Sequence, residues 1–520
     1  MLTELLSGLD YGGKCSVRQT PPQRLTLLPM LVDALLEAAE AFPDRLAVAD
    51  ERRNLSYRQL TIFARVMRDI IAAQSAAPHV GVMLPATPAF AGTLMGALWL
   101  PRTVVPLNFL LSPAEIAQIV RDAGLDLIIA TRFFEKLTTE LPARTMFLED
   151  LPLKRQMLMA MLRRLPRAPR IDPSDNAVIL YTSGTSGRPK GVQLSYRNLR
   201  SNCDACIAAL HMDSSHTFLN VLPPFHVFGL TATTLAPIVL KATGHCIPRF
   251  HPTKVIQAIT EKKISIFMAI PSMYAAMLRA KSAAPDALRS LYLAFSGGEP
   301  LPPTVDAGMK ERFGVTLMEG YGLTETSPVV SANRPDAYRA GTVGRPIPGV
   351  DVALIGIEDA QPLEPGTGEG EIMVRGPNVM KGYYQRPEET TAVLSPDGWF
   401  KTGDIGRIDA DGFLSITGRK KEMLIIGGEN VFPREIEAAL EDHPAVADAA
   451  VIGIPDESRG ELPVAFISLK EGQSATEIEL RQFARERLAG YKVPKQVRIA
   501  QDLPRGPTGK ILKRKLRELL

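Results

Sequence analysis

The sequence predicts an α/β protein. A large N-terminal domain of βαβ subdomains, with parallel-rich sheets and a small β-rich subdomain, precedes a small α+β C-terminal domain. Three observations predict it. A chain of 520 residues exceeds what one hydrophobic core supports, so two or more domains are expected. Short apolar runs alternate with helical patterns over residues 30–150 and again over 176–330, which is the mark of βαβ units. The texture then changes twice: short strands with Gly/Pro turns fill residues 340–418, and a compact mix of helix and strand of about 100 residues begins near 422.

The elements follow in order. Residues 31–39 repeat apolar side chains at helical spacing, and Ala47–Ala49 is a short strand. Tyr57–Ala73 is helical and Val80–Leu84 is a buried strand. Pro88–Trp99 is a helix, Val104–Leu107 a strand, and residues 112–123 a helix capped by Ser112. Leu127–Ala130 closes the first series. Residues 151–175 break the rhythm. Lys154, Arg155, Arg163, Arg164, Arg167 and Arg170 surround Met157, Leu158, Met161 and Leu162, with no acid from 154 to 170. That pattern reads either as a solvated linker helix or as a basic amphipathic helix resting on an anionic membrane. In the second series Ala177–Leu180, Phe218–Leu222, Ile264–Met268 and Leu291–Phe295 are the clearest strands. Beyond 422, Pro433–Leu440 and Ile478–Leu488 are helical, and Ala447–Ile454 and Val464–Leu469 are strands.

Composition excludes several classes. Apolar residues make up 45%, charged residues 22%, and the net charge is +4, ordinary for a soluble globular protein. No long Lys/Arg block with interleaved aromatics occurs, so nucleic acid is not an expected partner. Cys203 and Cys206 form a lone C-x-x-C with no second pair, so free thiols in a reducing, cytoplasmic setting are expected rather than zinc. The first ten residues carry acids and no basic run, unlike a signal peptide. The uncharged stretches 78–101 and 214–240 could span a bilayer by length. Their internal prolines favour strand, turn and buried helix instead.

Tyr181-Thr-Ser-Gly-Thr-Ser-Gly-Arg-Pro-Lys-Gly191 is the most informative segment. It follows a buried apolar run. Its glycines let backbone approach closely, Thr182, Ser183, Thr185 and Ser186 offer hydroxyl donors, Gly184 and Gly187 free the chain, and Lys190 adds a charge. That composition suits a polyphosphate. It is not the Walker spacing, and Pro189 precedes the lysine where a helix would otherwise run. An ordinary Gly/Ser/Thr cluster would be a surface loop between a strand and a helix; the companions downstream argue otherwise.

Those companions are Glu319-Gly-Tyr-Gly-Leu-Thr-Glu325, Gly370-Glu-Ile-Met-Val-Arg-Gly376, Gly398-Trp-Phe-Lys-Thr-Gly-Asp404, Ile416-Thr-Gly-Arg-Lys-Lys-Glu422 and Pro507-Thr-Gly-Lys510. In that order and approximate spacing, over roughly residues 30–520, the chain resembles the AMP-forming, adenylate-making enzymes: acyl- and aryl-CoA synthetases, luciferase and nonribosomal adenylation domains. Within that group it looks most like fatty-acyl-CoA ligases.

The resemblance implies ATP and CoA as substrates with Mg²⁺. It implies that Thr182–Gly187 and Lys190 hold the phosphates. Gly298 and Glu299 would contact adenine, as would Glu319, Gly320, Tyr321 and Gly322 after a short strand at 315–318. Thr324 would donate to the α-phosphate, and Glu325 would offer magnesium a hard oxygen. Asp404 would accept the ribose hydroxyls, with Arg419 beside it; by itself, an Asp after Gly is equally an Asx-turn. A large domain of residues 1–418 would join a mobile small domain of residues 422–520 through the hinge 419–421, with Lys421 as the pivot. Lys510 would be the catalytic lysine of adenylation, although by composition alone it belongs to a basic surface tail with Lys513, Arg514, Lys515 and Arg517. Gly427 and Gly428 would face the pantetheine of CoA. His226, in Pro223-Pro-Phe-His-Val-Phe-Gly-Leu230, would sit near the substrate carboxylate; a satisfied core histidine is its other reading.

No acid near that segment could hold a substrate amine, which argues against an amino acid. The expected substrate is a medium- or long-chain fatty acid, with an aryl acid as its nearest rival. The same motifs also suit a ligase that loads an acyl-carrier protein, a luciferase-like oxygenase, or a non-catalytic nucleotide-binding scaffold. Peripheral membrane contact through residues 154–170 would suit a lipid substrate.

Overall fold

In the computed structural model, residues 30–162, 170–183, 189–280, 283–427, 429–456, 458–505 and 511–520 are described. Two mixed sheets carry the large domain. The first has nine strands, and its six consecutive members Leu317–Gly322, Leu293–Ser296, Ile266–Ala269, Thr217–Asn220, Thr243–Cys246 and Leu46–Ala49 run parallel. Antiparallel strands finish both edges: Val329–Ala332 and Arg345–Pro346 at one, Asn54–Ser56 at the other. The second sheet orders Gly382–Tyr383, Pro189–Ser195, Asn176–Ser183, Thr103–Pro106, His79–Met83, Leu127–Ala130 and Arg144–Phe147, parallel from Asn176–Ser183 onward.

Parallel strands covered by helices on both faces are read in sequence as short, nearly continuous apolar runs. His79–Met83, Leu127–Ala130, Ile266–Ala269 and Leu293–Ser296 are buried at every position. Ser112 does cap its helix: its hydroxyl accepts from Glu115 N–H while Glu115 returns to the Ser112 backbone, a reciprocal capping box. The 214–240 stretch folds as the strand Thr217–Asn220, a π-helical segment Phe228–Leu235 and the short helix Ala236–Val239. No helix among the described residues is long and apolar enough to cross a membrane.

The β-rich subdomain is an antiparallel five-stranded sheet in the order Pro362–Leu363, Asp351–Ile355, Gly370–Arg375, Phe400–Ile408, Leu414–Arg419. It begins later than residue 340, because Arg345–Pro346 pairs into the nine-stranded sheet. The last region holds a fourth sheet, Glu429–Val431, Leu424–Ile426, Gly460–Leu469 and Val446–Asp456. Gln496–Ala500 pairs parallel to Gly460–Leu469. The helices Pro433–Glu441 and Glu477–Arg485 complete its core of Leu424, Ile436, Leu440, Val451, Ile467 and Leu480.

Three local features go beyond the sequence pattern. Pro189–Ser195 is a strand antiparallel to Asn176–Ser183, so the Gly/Ser/Thr segment joins two strands rather than a strand and a helix. The strand expected at 315–318 begins at Leu317 and runs on through Gly322, because Val329–Ala332 supplies an antiparallel partner from outside the segment. Near the C-terminal glycines a strand intervenes as well: Gly427, at φ +63°, turns Leu424–Ile426 into Glu429–Val431 before the helix begins.

Candidate active site

Strand ends and turns of the two mixed sheets and the β-rich sheet converge here. Among the described residues Asp404 is the most enclosed carboxylate, 3% exposed. Its Oδ2 accepts from Tyr321 Oη at 2.6 Å and its Oδ1 meets Arg419 Nε at 2.9 Å. Thr402 Oγ1 accepts the Asp404 N–H at 3.0 Å. Asp404 and Arg419 stand opposite each other on adjacent antiparallel strands, which brings their side chains together. Tyr321 comes from the other sheet. Burial and then the Asp404 charge push its phenol well above the ordinary value, so it stays a donor.

Tyr321 shares its strand with Glu319, whose Oε1 accepts the Leu301 N–H at 3.2 Å. Burial pushes the Glu319 carboxyl up to about 7 against that hydrogen bond. Gly320 and Gly322 are glycine for a steric reason: a Cβ at Gly320 would fall 2.3 Å from the Phe295 ring, and one at Gly322 would fall 2.2 Å from the Pro328 carbonyl oxygen. Gly298 adopts φ +86°, open to glycine, and half-buried Glu299 follows it. A Cβ placed at Gly297 would stand 3.5 Å from the Gly320 carbonyl oxygen and 3.7 Å from the Phe228 ring. The apolar segment after residue 222 therefore adjoins the Gly297–Gly298 turn, which in turn adjoins Gly320.

Thr324 and Glu325 open a single 3-10 turn beyond the strand. Glu325 Oε1 accepts from Tyr383 Oη at 3.0 Å, and burial raises the Glu325 carboxyl. Lys190 reaches the same tyrosine from the other side: its ammonium lies 5.2 Å from the Tyr383 ring centroid and pairs with Glu389. Register explains the approach. Tyr383 stands opposite Val192, so Lys190, two residues along the strand on the same face, is its diagonal neighbour. Thr182 stands opposite Lys190 at the end of the hairpin. Ser183 closes the strand. Its side chain, together with Gly184, Thr185, Ser186 and Gly187, lies outside the described residues, as do Gly428 and Lys510.

His226 is half-buried, and its Nδ1 faces the Phe228 N–H at 3.3 Å. A backbone N–H can only donate, so Nδ1 is the acceptor in this contact. Lys421 is exposed in the single turn Lys420–Glu422. Its neighbour Lys420 pairs at 2.8 Å with Glu371, a carboxylate 7% exposed. Lys513 does not belong to an exposed tail. Its Nζ lies 2.8 Å from Glu422 and 2.7 Å from Glu437. Burial alone would lower its ammonium, but the two carboxylates outweigh burial and hold it above the ordinary lysine value.

Sequence reasoning thus finds Asp404, Arg419 and Tyr321, which meet, and Glu325, which meets Tyr383; it misses Tyr383, Thr402 and Glu389. Gly382-Tyr-Tyr384, a glycine before two aromatics, is the available hint for Tyr383. Glu325 also fits a magnesium ion. It is a hard-oxygen donor with one carboxylate oxygen fixed by Tyr383, and magnesium takes one or two carboxylates with substrate phosphates. No cluster of three or more His, Cys, Asp or Glu able to cage a metal exists among the described residues. Cys203, Cys206 and Cys246 are buried free thiols.

Known proteins resemble this chain over most of its length. The family model described as AMP-binding enzyme matches residues 35–384, and the AMP-binding enzyme C-terminal domain matches 435–510. The long-chain-fatty-acid–CoA ligase of Bacillus subtilis (strain 168) is 34% identical over 530 residues, covering 94% of each chain. The feruloyl-CoA synthase of an Amycolatopsis species is 34% identical, covering 92% of this chain and 96% of that one. Among solved structures, the o-succinylbenzoate coenzyme A synthetase of Bacillus subtilis in complex with ATP and magnesium ion superposes with a TM-score of 0.81 at 29% identity, covering 93% of this chain and 99% of that one.

Proposed function

The chain belongs to the AMP-binding enzyme family as an AMP-forming acid–thiol ligase, and from that premise we propose that its acid is a medium- or long-chain fatty acid. It is an acyl- or aryl-CoA ligase that uses ATP with magnesium and takes CoA as co-substrate. The observation that carries the finer reading is the approach of Phe228 to Gly297, which itself adjoins Gly320. It sets a wholly buried, largely apolar segment, Phe228–Leu235, beside the turns expected to hold adenylate.

In this reading the substrate carboxylate attacks the α-phosphorus. A carboxyl oxygen–phosphorus bond forms, the α–β phosphoanhydride breaks and diphosphate leaves. Lys190 holds the departing phosphates, Thr324 donates to the α-phosphate, and Asp404 with Arg419 fixes the ribose. Lys510 neutralises charge as it develops. Glu325 would hold magnesium, which would supply electrostatic stabilisation to the leaving diphosphate. The small domain then turns at residues 419–421, withdraws Lys510 and brings Gly427–Gly428 to the site. The CoA thiol attacks the acyl carbon, a C–S bond forms, AMP departs, and the thiol proton passes to solvent. Binding geometry and fixed charge suffice without a protein nucleophile.

The same reading includes a cytoplasmic enzyme in peripheral contact with a membrane. In the helix Leu153–Met161 and the residue after it, Leu158, Met159, Met161 and Leu162 are 63%, 48%, 55% and 85% exposed, with Lys154 and Arg155 also outward. Only Ala160 is buried, at the side facing Arg65. Apolar side chains interleaved with cations fit an anionic lipid surface. The identity with feruloyl-CoA synthase favours an aryl acid as the second reading.

A panel of carboxylates from short-chain to long-chain, with aryl acids included, tests the proposal through diphosphate and AMP release. The expected result is the highest kcat/KM for straight-chain acids of medium or long length, and thioester only when CoA is present. Higher kcat/KM for aryl acids, or turnover only with a phosphopantetheinylated carrier protein, would overturn it.

A further inference from the structure

Among the described residues, Lys190 is the cation that the phosphate-gripping segment contributes, and its ammonium is engaged by Glu389. Glu389 does not stand alone. It sits in the first turn of the helix Pro387–Val393, one turn from Arg386, whose Nε lies 3.8 Å from Glu389 Oε1. Arg386 Nη2 in turn meets Asp122 Oδ1 at 3.0 Å, and Asp122 Oδ2 accepts from Tyr181 Oη at 2.6 Å. A chain of alternating charge therefore runs from Tyr181 through Asp122, Arg386 and Glu389 to Lys190. A cavity of about 330 Å³ opens beside it, lined by Arg121, Asp122, Pro189 and Arg386.

We propose that Glu389 is a competing carboxylate that occupies Lys190 until the triphosphate displaces it, and so sets the affinity for ATP. The inference rests on the reading of Lys190 as a phosphate ligand. An ammonium has three donors, but those aimed at Glu389 cannot also face phosphate oxygens. A triphosphate carries more charge than one carboxylate and wins the exchange, at a cost in ATP affinity equal to the pair it breaks. The displaced carboxylate has a second cation at hand, because Arg386 already lies 3.8 Å away. Glu389 is thus a positioning residue acting through Lys190, and it touches no reacting atom.

The test measures ATP binding by equilibrium dialysis without acid substrate, and KM for ATP in diphosphate release. It compares the wild type with E389Q, K190M and the double variant, and E389A is carried in parallel should E389Q fold poorly. The expected result is a two- to fivefold tighter binding of ATP by E389Q with kcat unchanged, the range for an ion pair with this much exposure. The gain shrinks as salt rises and vanishes in the K190M background. Unchanged or weaker ATP binding in E389Q and E389A, with K190M impaired, overturns the inference. An equal gain with and without Lys190 overturns it too. A K190M chain that binds ATP as the wild type does would instead sink the phosphate role of Lys190 itself.

Discussion

Tyr383 donates to Glu325 across 3.0 Å while its ring lies beside the ammonium of Lys190. One aromatic side chain on a two-residue edge strand thus spaces the cation expected to grip phosphate from the carboxylate expected to hold magnesium. Tyr383→Phe keeps the ring and loses only the hydroxyl. Hydrogen bonds to a charged group are worth about 1.5–3 kcal/mol. The magnesium concentration for half-maximal diphosphate release is therefore expected to rise about tenfold, and the thermal midpoint to fall with the same lost bond. A magnesium titration of both proteins checks it.

Asp404→Asn preserves shape but removes the charge that faces Arg419 at 2.9 Å. KM for ATP is expected to rise about tenfold or more, and stability to fall by about 1–2 kcal/mol from the imperfectly paired guanidinium. Initial-rate kinetics and urea denaturation measure the two effects separately.

Glu319 makes stability depend on pH. Its folded-state value is about 7 against an ordinary 4.5, so in this interval the folded chain holds a proton that the unfolded chain has lost. The contribution is fully present below about 4.5 and is lost as pH rises through about 7. Glu319→Gln is expected to flatten the fall in thermal midpoint over that window, as differential scanning calorimetry across a pH series would record.

Lys510→Ala is expected to slow adenylate formation by about 10²–10³, the usual cost of one transition-state donor. Thioester formation from supplied acyl-adenylate should continue near the wild-type rate. Equal adenylation rates in variant and wild type would remove Lys510 from the chemistry.

Leu158→Glu with Met161→Glu places charge on the outward face of Leu153–Met161. Co-sedimentation with vesicles containing anionic lipid is expected to drop several-fold, while turnover of a soluble short-chain acid stays level.

Much of this molecule is legible in its sequence because the signals are local. Apolar runs such as Leu127–Ala130 announce buried parallel strands, and Ser112 with Glu115 announces a helix start. Asp404, Arg419 and Tyr321 are marked by motif order, and the fold brings their side chains together. What escapes depends on distant pairing. Tyr383 reaches Glu325 across 58 residues of chain, and nothing near Gly382 marks that partner. The extension of Leu317–Gly322 depends on Val329–Ala332, and the strand at Pro189–Ser195 depends on Asn176–Ser183. Lys513 reads in sequence as one cation in a basic run, because its two glutamates lie 91 and 76 residues earlier in the chain.

That half-buried lysine has a mechanical consequence. It follows Lys510 by three positions, and it grips Glu422, the residue immediately after Lys421. With Glu437 it ties the chain's last segment to the start of the same region. A force on Glu422 is handed straight to Lys513 and the chain's last turn, as through a crank pinned at both ends.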